Sequence, residues 1–310
     1  MKYGIGVRYS EQGIRLLKVS FDDAGLKITG AGTGENPDQL ATLFTSDDLT
    51  PDNTSIAISL GPGDFLSSYM LREDDMSGND MEKHLKWQIE HKILSASEDY
   101  RLDYFITDLI GCVFAGRNDL IDKKKSIIHD IAQAGTPIVT DVESVALYNG
   151  NEGSGEIGPE TVMLTSLEAE GISSLVLHEG SLVALETFTT DDDPQLRALP
   201  RLDRDALAGI DNTAVEKMIG HITDSMGRLS SYGDFKEKPA LKKIVLSGAG
   251  AYIGNGTLAE MVTEKTDIPT MISNPLKPLL TELPEDHADL SEYSAAFTTC
   301  FGLALRALED

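Results

Sequence analysis

Apolar and polar residues alternate with a period of two over residues 3–9, 14–21 and 26–31, with turns at 10–13 and 22–25. The pattern predicts a three-strand β-meander. A helix is expected near 37–44, then a strand at 54–60 that ends in the turn-forming triplet Gly61, Pro62 and Gly63. A second unit follows, with a strand at 65–71 and a helix at 79–94 capped by Asn79 and Asp80. Strands at 100–108 and 110–116, a helix at 119–134 closed by Gly135, and a strand at 137–141 complete it. The order β-α-β-β-α-β is a split βαβ arrangement. Within 148–160 the segment NGNEGSGEIGP is polar and glycine-rich, which predicts a flexible junction between two lobes.

Beyond the junction, 161–166, 171–178 and 181–188 form a second meander that echoes the first, although the sequence match is too weak to count as a repeat. Residues 191–211 are acidic and irregular and predict a surface connection. A long helix is expected over 213–232, its core face made by Val215, Met218, Ile219, Ile222, Met226 and Leu229. Ile244, Val245 and Leu246 suit a strand buried on both faces, and it leads into the small-residue turn Ser247, Gly248, Ala249 and Gly250. Such a turn lets a ligand approach the backbone, and equally lets a strand turn tightly into a helix. An alanine-rich terminal helix is expected over 289–308.

Composition narrows the function. With 310 residues, 41% of them hydrophobic, the chain can bury a substantial core, and its length suits two lobes. Lys plus Arg is 26 and Asp plus Glu 51, a net charge of −25 that repels nucleic acid and anionic lipid. The basic run Lys123, Lys124 and Lys125 is expected on a solvated helix face. Cys112 and Cys300 lie far apart in apolar segments and predict buried free thiols in a reducing compartment. No apolar stretch is long enough for a membrane span, and the N-terminus lacks an apolar signal-peptide region, so a cytoplasmic protein without direct membrane insertion is expected. His84 and His91 have no acidic partner at metal-site spacing, so no metal site is expected.

The order of motifs resembles the PilM family of type IV pilus assembly proteins, which are actin-like and related to FtsA. The carriers are the N-terminal meander, SIAISLGP, the helix MEKHLKWQIEHKI, PIVTDVESVALYN, VLSGAGA, IPTMISNPLKPL and FGLALRAL. Each is weakly specific alone, and their shared order covers most of the chain. The resemblance implies an α/β, actin-like (ASKHA, ribonuclease H-like) two-lobed fold. Lobe 1 would take 1–155, as subdomain 1A with a 1C-type insert at about 62–136. Lobe 2 would take 156–292, as subdomains 2A and 2B, and 293–310 would be a terminal helix packing back on lobe 1.

Nucleotide-binding relatives carry two phosphate loops, approximately GxDxGSxSxK and VDxGxxxT, and both are altered here. In the first, Gly6 stands at the family's Asp, Arg8 at its Gly and Tyr9 at a small polar position, while Arg15 falls near the family's Lys. Arg8 could itself pair with a phosphate. In the second, Thr165 stands near the Asp and Leu167 or Glu168 near the Gly. Glu168 and Glu170 are expected on a solvated hairpin turn, with exclusion of nucleotide as the alternative. Phosphoryl transfer depends on positioned metal and phosphates, so the resemblance implies a degenerate ATPase with no catalytic residues and no cofactor. Were ATP with magnesium retained, Gly248, Ala249, Gly250, Ala251 and Arg15 would contact it, and Arg228 and Tyr232 would face the adenosine.

As function, the resemblance implies a cytoplasmic scaffold, peripheral to the inner membrane through a protein partner. That partner would be the N-terminal tail of a PilN-like inner-membrane protein, with pilus assembly ATPases as further partners. The tail groove of the family lies between 1A and 1C, at positions flanking 59–63 and the helix 81–94 here. Trp87, Leu85, Ile89 and Leu60 are the candidate contacts, although Met81, Leu85, Ile89 and Ile93 also form a core stripe. Two alternatives are a functional actin-like ATPase or kinase, and the cytoplasmic domain of a GspL-like type II secretion protein.

Overall fold

The computed structural model describes residues 1–10, 12–46, 48–73, 75–93, 97–154, 157–190, 207, 209–231, 240–282 and 288–309. The chain opens with β1 (Lys2–Ser10), β2 (Gly13–Asp22), β3 (Gly25–Gly34), α1 (Ala41–Phe44) and β4 (Thr54–Leu60). An insert follows: β5 (Phe65–Leu71), α2 (Gly78–Glu90), β6 (Tyr100–Ile106), β7 (Ile110–Arg117) and α3 (Asn118–His129). Strand β8 (Ile138–Val142) and α4 (Glu143–Ser154) close the first lobe. The second lobe has β9 (Val162–Glu168), β10 (Gly171–His178), β11 (Ser181–Thr189), α5 (Asn212–Ser231), β12 (Lys243–Ser247), α6 (Thr257–Thr266) and β13 (Thr270–Ile272). Two helices end the chain, α7 (Ala288–Glu292) and α8 (Thr298–Glu309).

Each lobe is built on a five-stranded sheet, ordered β3-β2-β1-β4-β8 in one and β11-β10-β9-β12-β13 in the other. In both, the meander is antiparallel, and two parallel strands are added beside its first strand. The echo between the meanders is therefore a repeat of topology that the side chains do not advertise. The insert is a separate sheet of three strands, β5-β7-β6. This corrects the split βαβ expectation, because β8 pairs with β4 in the lobe sheet and leaves the insert with three strands.

Alternation explains the burial. Ile5 and Val7 of β1 pack with Ile56, Ile58 and Ile128 on one face of the first sheet, while Leu17, Val19, Cys300 and Phe301 fill the other. Helix α8 lies so close to β1 that a Cβ at Gly4 would stand 2.2 Å from the Ala304 carbonyl, and one at Gly6 would stand 1.9 Å from that of Cys300. Only glycine fits at either place. The insert's outer face holds Met81, Leu85 and Ile89 of α2 against Val113 and Ala115. Its inner face joins Phe65, Cys112 and Phe114 to Leu147 of α4 and to Leu175 and Leu185 of the second lobe, so one core crosses both lobes. The expected stripe on α5 does face the second lobe's core.

Other local expectations change with tertiary context. Ser77 caps α2, its hydroxyl accepting from the Asp80 amide, and the helix stops at Glu90. The glycine-rich stretch expected to be a flexible junction is helical as far as Ser154. Gly150 and Gly153 there are contact positions against α8, where a Cβ would meet the Thr298 carbonyl at 2.3 Å and Leu305 Cδ1 at 2.6 Å. The expected single terminal helix is broken between α7 and α8. Between them the Ala295 carbonyl accepts from the Gly248 amide and that of Ala296 accepts from Arg15, and these acceptors serve the tertiary fold.

Candidate functional site

The turns β1–β2 and β9–β10 face each other across the cleft between the lobes. Strand pairing sets Arg8 directly opposite Arg15 on the first hairpin, and Glu168 opposite Gly171 on the second. Arg8 approaches three carboxylates: Glu143 at 3.0 Å, Glu168 at 3.6 Å and Glu170 at 2.6 Å. The Glu143 contact is an ion pair without hydrogen-bond geometry, because the Arg8 Nε–H lacks an aligned acceptor. Arg15 pairs with Glu168 through Nη2 and donates from Nη1 to the Ala296 carbonyl at 2.6 Å. Glu143 opens α4, where the exposed amides of the helix N-terminus favour negative charge.

Burial makes this network costly to disturb. Arg8 is 3% exposed, Arg15 8%, Glu143 5% and Glu168 3%. For Glu170, burial pushes the pKa up, but Arg8's charge and hydrogen bond, with help from Ser10, outweigh it and hold the carboxyl down at about 2. Glu143 goes the other way: burial raises its pKa, Arg8 offsets that only in part, and Glu168 and Glu170 push it further. Burial works against the Arg8 cation, yet Glu143, Glu168 and Glu170 together raise its pKa well above the ordinary value. The expectation of a solvated turn for Glu168 and Glu170 is thus corrected. They are lobe-2 charges paired with buried lobe-1 arginines, Glu168 itself buried and Glu170 partly exposed.

Two cavities flank the network. One, of about 320 Å³, is lined by Gln12, Arg15, Thr33, Glu35, Gln39 and Ala249 among others. The other, of about 340 Å³, opens between the first lobe and the insert, against Tyr9, Gly61, Gly63, Leu120, Lys123 and Ile127. Arg8 and Glu170 line both and form part of the wall between them. Lys124 fixes the second cavity's corner: its ammonium donates to the carbonyls of Ser59 at 3.1 Å and Tyr9 at 3.3 Å and pairs with Asp64. It is therefore a structural tie between lobe and insert, contrary to the solvated face expected for it.

The remaining sequence candidates scatter. Gly248 adopts φ +81°, and a Cβ on it would stand 2.5 Å from the Leu167 carbonyl, while one on Gly250 would stand 2.7 Å from Leu167 Cβ. These two glycines let the β12 turn pack on β9. Ala249 and Ala251 are buried beside them. Arg228 is paired with Glu186 at 2.6 Å on the outside of lobe 2, and Tyr232 lies outside the described residues. Leu85 and Ile89 have no exposure and Leu60 is 5% exposed, so the three are core residues, unavailable as direct partner contacts. Trp87, 61% exposed and in tilted contact with the His91 ring, is on the surface. Sequence reasoning missed Glu143, whose only signal was a charge at the junction of a strand and a helix, and it gave Lys124 no role because a mid-helix lysine in a basic run carries no sign of a buried partner.

No family model and no curated protein sequence matches the chain. Solved structures do match. A protein with an actin-like ATPase fold from Bacteroides thetaiotaomicron aligns with a TM-score of 0.52 at 12% identity, over 88% of this chain and 91% of that one. A chain of a PilM-PilN type IV pilus biogenesis complex aligns with a TM-score of 0.73 at 17% identity, over 99% of each chain. The fold is actin-like. At these identities the likeness establishes the actin-like architecture and leaves the chemistry to the residues themselves. Among the described residues, no helix is long and apolar enough to cross a membrane.

Proposed function

We propose that this chain is a cytoplasmic actin-like scaffold of a type IV pilus inner-membrane assembly platform. It binds the N-terminal tail of a PilN-like membrane partner and has lost ATP hydrolysis. The end-to-end match to a chain of the PilM-PilN complex, insert included, carries this reading. The cavity of about 340 Å³ between lobe and insert supports it as a seat for an extended segment. Its insert-side wall is α3, through Leu120, Lys123 and Ile127, where the sequence pointed to α2. Trp87 remains available as a second contact on the insert's outer surface, and a net charge of −25 favours a basic tail.

The residues of the cleft do not fit a magnesium triphosphate. Position 6 has no room for a carboxylate, since even a Cβ there would overlap the Cys300 carbonyl. Both arginines are already paired with glutamates, which would repel phosphates. Calorimetric titration with a PilN-like tail peptide, repeated with ATP and magnesium, tests both halves. Saturable peptide binding without ATP turnover is expected. Micromolar ATP binding with turnover would overturn the loss of hydrolysis, and failure of every candidate tail to bind would overturn the scaffold.

A further inference from the structure

Among the described residues, strand β6 is an edge whose only strand partner is β7. The pairing is antiparallel and unbroken, from Tyr100 opposite Arg117 to Ile106 opposite Gly111. Just past β6, the Thr107 amide donates to the Ile110 carbonyl at 2.8 Å, which fixes the phase of the ladder. Hydrogen-bonded pairs alternate along antiparallel strands, so Arg101, Asp103 and Phe105 turn their backbone groups to β7. Those of Tyr100, Leu102, Tyr104 and Ile106 turn away from the sheet. The Tyr104 amide agrees with this phase, since it donates to the carboxylate of Asp103 at 2.9 Å.

A row of outward amides and carbonyls is a template for another strand, and proteins usually blunt it with proline, lysine or a bulge. The seven residues YRLDYFI have no proline or lysine, and their register with β7 has no shift. The strand is also held in place before any partner arrives. Tyr100, Leu102, Tyr104 and Ile106 pack beneath α2, and the Phe105 ring meets that of Tyr148 on α4 at 5.8 Å. A preformed strand loses little conformational freedom on pairing.

We propose that the β6 edge takes the β6 edge of a second copy of this chain, antiparallel about a twofold axis at Leu102, joining the two insert sheets into one. Charge complementarity selects both the occupant and the register. Centring on Leu102 sets Tyr100 opposite Tyr104 of the second copy as a hydrogen-bonded pair, and Arg101 opposite its Asp103 as a non-hydrogen-bonded pair, where side chains stand closest. The twofold axis makes that ion pair twice. Centring on Asp103 would set the carboxylate against itself. Arg101 is free to change partner at little cost: its ion pair with Asp122 of α3, at 3.0 Å, joins side chains that are 54% and 62% exposed. No residue of β6 lines the cavity assigned to the tail, so this pairing is separate from tail binding.

The test is sedimentation velocity of the full chain over a concentration series. It is run at about 0.15 M salt, where repulsion between two copies of net charge −25 is screened beyond about 8 Å. A reversible monomer–dimer equilibrium is expected. Arg101→Glu and Asp103→Arg, each of which turns both ion pairs into like-charge pairs, should weaken it at least about tenfold. The swap Arg101→Glu/Asp103→Arg restores opposite charges in the same register and should return the dissociation constant to within about threefold of the wild type. That recovery would also show that the substituted chain folds. Amide hydrogen exchange locates the contact: exchange over residues 100–106 should slow as concentration rises. A wild type that stays monomeric throughout the series would overturn the proposal, as would a dimer whose β6 amides gain no protection. Failure of the charge swap to recover association would overturn the register. Protection of β6 by a PilN-like tail peptide in a chain that remains monomeric would give the edge to another protein and reject the second copy. Tail binding and ATP turnover are measured on other samples, so the scaffold reading can fail without changing this result.

Discussion

The hairpins β1–β2 and β9–β10 hold equivalent places in two sheets of the same strand order, yet one is basic and the other acidic. Neither is tolerable alone where Arg8, Arg15 and Glu168 are buried. Two arginines stand opposite each other on the first, and Glu168 and Glu170 crowd the turn of the second. Topology fixes where the turns meet, and charge decides what may lie between them. A cleft that meets itself with opposite signs needs no ligand to stay closed. Buried ion networks of this kind add little net stability over apolar packing, but they penalise the loss of a single member.

Breaking one side of the pair should have the largest effect. Arg8→Met leaves the buried Glu143 and Glu168 and the partly exposed Glu170 without that counter-charge, and should cost about 3–5 kcal/mol in urea unfolding. Combining it with Glu170→Met should cost less than the two single changes summed. Strict additivity would mean that the hairpins do not act on each other. Glu170→Gln tests the acidic side with a pH readout. A carboxyl held at about 2, below its ordinary 4.5, contributes stability that is present above pH 4.5 and lost as pH falls through 2. The variant should therefore trail the wild type by about 3 kcal/mol at pH 7, and the gap should close between pH 4.5 and 2.

Glu143→Gln sharpens the comparison from within lobe 1. Its raised pKa has the opposite sign, so the stability tied to its protonated form is lost as pH rises, and the amide should cost less at pH 7 than Glu170→Gln does. A penalty matching that of Glu170→Gln would show that the two carboxylates are equivalent and that the lobe of origin is irrelevant. Trp87→Ala should be smallest, within about 0.5 kcal/mol in the same unfolding assay, because its side chain is exposed on the insert. A larger loss would move part of the stability out of the cleft and onto the insert surface.

Much of the fold was legible because alternation and helical spacing are local. Ile5 and Val7 announce the inner face of β1, and Val215, Met218 and Ile222 the inner face of α5. The site was legible only as an anomaly. Arg8, where the resemblance expects a glycine, and two glutamates at a turn were visible, but their partnership spans 162 residues in sequence and depends on how two lobes meet. Glycines misled for a related reason. In NGNEGS, composition alone reads as a loop, whereas Gly150 gives way to a neighbouring backbone and stays helical. The interruption before α8 was equally hidden, since the carbonyls of Ala295 and Ala296 are claimed by Gly248, in the turn after β12, and by Arg15 of β2.

Gly6 bears on what this cleft can become. A Cβ there would sit 1.9 Å from the Cys300 carbonyl and 2.6 Å from the Ala304 amide nitrogen, both main-chain atoms of one helix. Main chain cannot rotate aside as a side chain can. Placing an acid at this position is thus not a one-step change, since α8 would first have to withdraw from β1. The contact works as a lock: with the helix seated on the glycine, the packing of the lobe itself keeps any larger side chain out of this position.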